Sequence, residues 1–166
     1  MRPLRSYWQD LRARMLRDPL PPERVAAGWA LGMFIGCTIP FGLQLMVSVP
    51  LSVLLRVSKI GATIGTLVTN PLSIVVLYPA QTWLGARVLG ISLSWEYIVD
   101  ICVKLRQVNL LDHEGWALLS RLSGQVLAGF FAGGLLLALV CTPLTYLIVL
   151  RTVVKCRSLW PKRNSI

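Results

Sequence analysis

Residues 25–55 read VAAGWALGMFIGCTIPFGLQLMVSVPLSVLL, thirty-one positions without a charged side chain. Few environments accept such a run. A helix needs about 20 apolar residues to cross a hydrocarbon core of roughly 30 Å, whereas this run as one straight helix would be about 46 Å long. Its centre, Thr38-Ile39-Pro40-Phe41-Gly42, removes one amide donor and adds a flexible backbone position. The run therefore predicts either a kinked, tilted helix or two half-helices meeting inside a membrane.

Two further charge-free runs cover residues 60–86 and 122–150. Charged residues make up only 14% of the chain, against about 25% in soluble domains, so the surface chemistry of a soluble protein is missing. The predicted fold class is an all-α integral membrane protein with helices broken at Pro40 and Pro71. Its parts are a basic amphipathic helix (1–21), one membrane domain (22–150) and a basic tail (151–166).

The net charge of +10 raises nucleic acid as a partner, but its placement points elsewhere. Residues 1–24 hold six Arg and three acids, residues 151–166 five basic groups and no acid, and residues 87–121 four of each sign. Basic flanks mark cytoplasmic segments and attract anionic headgroups. The expected partners are membrane lipids, preferentially anionic, and no nucleic acid. None of the four cysteines forms a C-x-x-C pair, and residues 1–24 contain no signal-peptide core. Asp112-His113-Glu114 is the one local cluster of metal-ligand types and reads as a solvated turn. Neither a metal nor a cofactor is expected.

Within residues 4–17, Leu4, Trp8, Leu11 and Met15 share one helical stripe while the arginines lie mostly off it, the pattern of a helix in the membrane interface. The prolines that follow end that helix, and a new one is predicted after Pro22 with Glu23 at its positive end. Gly28, Gly32 and Gly36 recur every four residues, which allows close helix approach in lipid. A fainter echo, Gly61, Gly65, Thr69-Asn70-Pro71, repeats a small-residue ridge before a polar, Pro-marked break. Tyr78, Trp83 and Arg87 close the second run with interfacial residue types. Residues 94–106 read as a short amphipathic helix with Asp100 and Lys104 paired, inside an external amphipathic segment over 88–121.

If both basic termini are cytoplasmic, the crossings must be even in number, and three apolar runs break that parity. The first run as a re-entrant hairpin turning at Pro40–Gly42 restores it and leaves Arg56 and Lys59 inside. The rival arrangement makes the second run re-entrant at Asn70-Pro71. Backbone groups freed at a break need partners in protein or water, because lipid offers none. Thr38, Gln44, Thr69 and Asn70 are the side chains expected there, either lining a substrate site or satisfying the backbone. Arg56, Lys59 and Arg87 near the run ends are candidates to hold a phosphate headgroup. Gly32, Gly36, Pro40, Gly42 and Pro71 are the expected structural positions.

Pro22-Glu23-Arg24-Val25-Ala26, Gly28-x-x-x-Gly32-x-Phe34-Ile35-Gly36 and Pro40-x-Gly42-x-Gln44 form a connected pattern. It continues through Leu54-Leu55-Arg56, Asn70-Pro71, Tyr78 and Leu84-Gly85. This combination resembles the family called domain of unknown function 2062, small bacterial inner-membrane proteins. The resemblance implies a membrane protein without an established activity. Fusion of similar domains to glycosyltransferase-type domains implies a connection with envelope glycans or lipid-linked sugars. Ser58 departs from the pattern, which suggests a more Asn-like residue there.

Two functions follow as expectations. The first is a transporter or flippase-like protein for an anionic or polyprenyl-phosphate-linked lipid. The second is a non-transporting membrane scaffold that recruits or stabilises an envelope glycan or lipid enzyme. A second copy of the chain and an envelope glycosyltransferase are the further expected partners. Enzymatic activity is not expected, because the apolar runs supply neither His nor carboxylate.

Overall fold

A computed structural model describes residues 18–70, 73–107 and 124–158. All regular structure among them is helical: α1 (Pro22–Thr38), α2 (Gln44–Leu54), α3 (Lys59–Thr66), α4 (Ile74–Val88), α5 (Trp95–Gln107) and α6 (Gly124–Ser158). The interfacial helix expected over 4–17, Pro71, and the Asp112-His113-Glu114 cluster lie outside the described residues.

Local chemistry sets the boundaries. Pro22 occupies the first turn of α1 and Glu23 faces its positive end. The helix stops at Thr38 because the residue before Pro40 is driven out of the helical region, and Ile39 is extended (φ −107°, ψ 135°). Gly42 then takes φ +100° in the turn closed by Leu43 N–H to Pro40 O (3.2 Å). That turn sends the chain back. The end of α2 returns to the start of α1, where Ser58 N–H donates to Arg24 O (3.1 Å).

From Ser58 the chain turns again and α3 runs parallel to α1. Gly28 lies against Ser58, Gly32 against Ala62 and Gly65, and Gly36 against Thr66 and Thr69. A methyl added at Gly32 or Gly65 would meet the backbone of the other helix. The four-residue glycine spacing thus permits direct backbone packing.

Helix α6 joins the parts. Its 35 residues cover about 52 Å, and it alone among the described helices is long and apolar enough to cross a membrane. Near its start it packs antiparallel on α4, with Gly85 on Gly129 and Gly133 on the Gln81 carbonyl. Farther along, Gly134 meets Cys37 O at the end of α1, and Val149 and Val153 pack on Val25 and Ala26 at its beginning. The α1–α2 turn is therefore level with Gly134, inside the apolar run of α6, and α4 extends beyond it. Helix α5 packs on α4 through Ile98 and Cys102 beside Tyr78 and Phe130.

Polar side chains share the interior with apolar ones such as Val25, Ile98 and Val153, and large apolar side chains lie on the surface. The fully buried side chains include Ser48, Ser52, Thr66, Thr69, Gln81 and Thr82, while Met46, Leu54, Val76, Leu139 and Ile148 are more than half exposed.

Candidate functional site

The turn after α1 creates a specific deficit. In a continuing helix the Gly36 carbonyl would accept from the N–H of residue 40, and Pro40 has none. Gln44 fills the gap. Its Nε2 donates to Gly36 O (3.2 Å) and Ile39 O (2.9 Å), and lies 2.7 Å from Thr69 Oγ1. Two N–H bonds thus serve three acceptors. The Thr69 hydroxyl in turn is within donating reach of Gln44 Oε1 and Thr66 O, both at 3.0 Å. Tyr78 Oη accepts from Phe41 N–H (2.6 Å), tying the turn to α4.

Below this knot, α2 buries a polar stripe at four-residue spacing, Gln44, Ser48 and Ser52. Leu45, Met46, Val49 and Val53 on the remaining faces are exposed. Ser52 bonds Val49 O (2.7 Å), whereas the buried Ser48 hydroxyl has no hydrogen-bond partner. Together with Thr66 and Thr69 these side chains make a polar seam leading from the Ser58 end of the bundle to the Pro40 turn.

The other candidates separate. Thr38 Oγ1 donates to Phe34 O within its own helix (2.8 Å). Asn70 Oδ1 accepts from Ser73 N–H (3.0 Å) and Asn70 N–H donates to Ser73 Oγ (2.8 Å), a reciprocal pair at the entry to α4. Arg56 and Lys59 are exposed beside the start of α1. Arg87 stands over the Trp83 ring at 5.0 Å, near the Gly85–Gly129 contact at the opposite end. One small headgroup cannot touch all three cations.

A clamp absent from the sequence reading closes the Arg56 end. Asp18 is buried, its Oδ1 accepting from Leu20 N–H (3.1 Å) and its Oδ2 from the Ser58 hydroxyl. Ser58 also caps α3 by accepting from Gly61 N–H (2.9 Å), a task asparagine performs equally well. Arg157 of α6 donates to Asp18 O (2.7 Å) and Leu20 O (2.9 Å). Only the proline break around Asp18 was legible in the sequence; its link to a residue 139 positions away was not.

Beside that end an apolar groove of about 620 Å³ opens between α1 and α6, lined by Ala27, Leu31, Phe34, Pro143, Tyr146 and Leu147 among others. No group of three or more His, Cys, Asp or Glu among the described residues is placed to hold a metal. The four cysteines are free, and burial pushes the Cys102 thiol up to about 11.

A family model described as "Uncharacterized protein conserved in bacteria (DUF2062)" matches residues 5–160. No curated protein and no solved structure matches the chain.

Proposed function

The chain belongs to the DUF2062 family, and we propose that it is a multi-pass inner-membrane protein that carries the headgroup of an anionic lipid along its polar seam. The observation that carries this reading is α2, a helix with its serines and glutamine buried and Leu45, Leu54 and its valines exposed. Lipid accepts the apolar face without cost, while the polar side chains need partners inside the protein.

In this reading residues 22–55 enter and leave the membrane on one side. The α1–α2 hairpin is re-entrant, turning at mid-depth, while α3 with α4 forms one crossing and α6 the other. Arg24, Arg56, Lys59, Arg151 and Lys155 then flank the cytoplasmic surface. Trp83, Arg87 and α5 lie at the outer one, in line with the preference for positive charge inside. The seam is covered by the short α2. When α2 swings off α3, Ser48, Ser52 and Thr66 become hydrogen-bonding groups for a headgroup that lipid tails cannot solvate. Phosphate headgroups, including polyprenyl phosphates of envelope synthesis, suit the basic entrance.

A scaffold role is the second reading, favoured by one observation. Gln44 and Thr69 are fully occupied with each other and with backbone carbonyls, which fits a static support for a partner enzyme.

Headgroup movement separates the two. The purified chain is placed in phosphatidylcholine vesicles holding a trace of headgroup-labelled phosphatidylglycerol, and exposure of the label to an external quencher is followed. The wild-type chain is expected to speed loss of the inner-leaflet signal, and Ser48→Leu, which fills the seam, to return it to the protein-free rate. No acceleration by the wild-type chain would overturn transport and leave the scaffold.

A further inference from the structure

We infer that the groove between α1 and α6 binds one acyl chain of an anionic glycerophospholipid, with its phosphate held at Arg56. This rests on the membrane reading above but concerns a different surface from the seam. The groove is almost wholly apolar, and its walls are two helices that lead to the same basic end. On α1, Arg24, Ala27, Leu31 and Phe34 follow one another at three- and four-residue spacing and share a face. On α6, Leu147 and Arg151 are four apart. The contact of Val25 and Ala26 with Val149 and Val153 brings these two arginine-bearing ends side by side.

Arg56 stands between Leu55 and Val57, both of which line the groove. All three arginines are exposed. The apolar lining runs about 10 Å along α1, from Ala27 to Phe34, with Arg24 about one turn beyond its basic end. The slot therefore holds the upper part of an acyl chain within one leaflet of a hydrocarbon core of roughly 30 Å. An anionic amphiphile fits that combination, its tail in the slot and its phosphate at the rim. A choline headgroup also carries a phosphate, but its quaternary ammonium offsets that charge beside three arginines, so the lipid with a net negative headgroup is preferred.

The backbone at Arg56 adds a second argument. Helix α2 ends with Val57 N–H on Ser52 O (3.0 Å) and Arg56 N–H on Val53 O (3.1 Å), and Arg56 is left-handed at φ 54°. Helix α4 ends in the same motif, with Ile91 N–H on Ala86 O and Gly90 N–H on Arg87 O, but there the left-handed position is Gly90. Glycine is the residue this position favours. A side chain kept where glycine would serve better points to a use for the guanidinium.

This yields a test in which folding and binding move separately. Arg56→Gly keeps the motif and removes the cation. The full chain is put in phosphatidylcholine vesicles with a trace of phosphatidylglycerol carrying a diazirine in its acyl chain, irradiated, and the adducts mapped by mass spectrometry. Adducts on Leu31, Phe34 and Leu147 are expected to exceed those on lipid-facing Leu45, Val53 and Leu139. Arg56→Gly is expected to lower the groove adducts about fivefold, equivalent to the ~1 kcal/mol a basic residue contributes near an anionic surface, without lowering the thermal midpoint. Ala27→Phe, which fills the slot, should lower them too, and the same probe with a choline headgroup should label the groove less.

Equal labelling of the groove and of the other lipid-facing residues, or equal labelling by both headgroups, would overturn the site. So would cross-links showing residues 1–17 or a second copy in the slot. Groove labelling without headgroup movement overturns transport alone, and movement without groove labelling overturns this site alone.

Discussion

Gly133→Val is expected to abolish the folded protein. The side chain would be built into the Gln81 carbonyl and close to the Gly85 backbone, and two helix backbones in contact leave no flexible group to yield. Overpacking of even an ordinary core costs about 1–3 kcal/mol. Here α4 and α6 must separate along the contact that Gly85, Gly129 and Gly133 create, and the Gln81 Nε2 bond to Phe130 O (2.9 Å) goes with it. The expected loss exceeds about 3 kcal/mol, beyond the usual range for a single substitution. Size-exclusion of the detergent-extracted chain should show no monodisperse peak. Gly124→Ala is the control, because that glycine of the same helix faces open space, and it should elute like the wild type.

The second large effect is at Gln44. Gln44→Leu keeps a similar volume and removes the donor that the proline turn requires. Gly36 O and Ile39 O lose their side-chain donor, Thr69 Oγ1 keeps only Thr66 O, and each buried group left unsatisfied costs about 1–3 kcal/mol. Thermal unfolding in detergent should therefore fall steeply, whatever happens to lipid binding. Pro40→Ala supplies an N–H that reaches the Gly36 carbonyl once residue 39, now extended, adopts helical dihedrals. The double variant should accordingly lose less stability than the two single changes added together, with a coupling within the 0.5–3 kcal/mol range of residues sharing a network. A Gln44→Leu chain as stable as the wild type would mean that the amide does not support the turn and is free to meet a ligand.

These two sites show what a single sequence conveys. The helical class was legible from the charge-free runs and the low share of charged residues, 14%. The glycine ridge at 28, 32 and 36 was legible too, because its spacing is a local property of α1; that its partner would be α3, running parallel, was not. The Gln44 role was readable in principle, since a proline that deletes a donor calls for a polar side chain about one turn on. Choosing between backbone support and ligand binding needed the distances. The Asp18–Ser58 and Asp18–Arg157 contacts join residues about 40 and 139 positions apart, and no periodicity encodes such pairs. Nor does sequence show that Arg56 adopts a left-handed conformation. Grouping Arg56 and Lys59 with Arg87 followed from their places at run ends, but only the packing of α4 beyond the Pro40 turn reveals that Arg87 belongs to the far end.

The central claim is that residues 22–55 enter and leave the membrane on the same side. It is tested by replacing the four cysteines and introducing one thiol by Lys59→Cys or by Ser92→Cys. Both positions are exposed, unlike the neighbouring Ser58, whose hydroxyl holds Asp18. Right-side-out spheroplasts are treated with a membrane-impermeant maleimide before and after permeabilisation. The account predicts labelling at position 92 from outside, and at position 59 only once the membrane is opened. Labelling at position 59 in sealed spheroplasts would mean that residues 25–55 cross the membrane outright, and the re-entrant hairpin would be wrong.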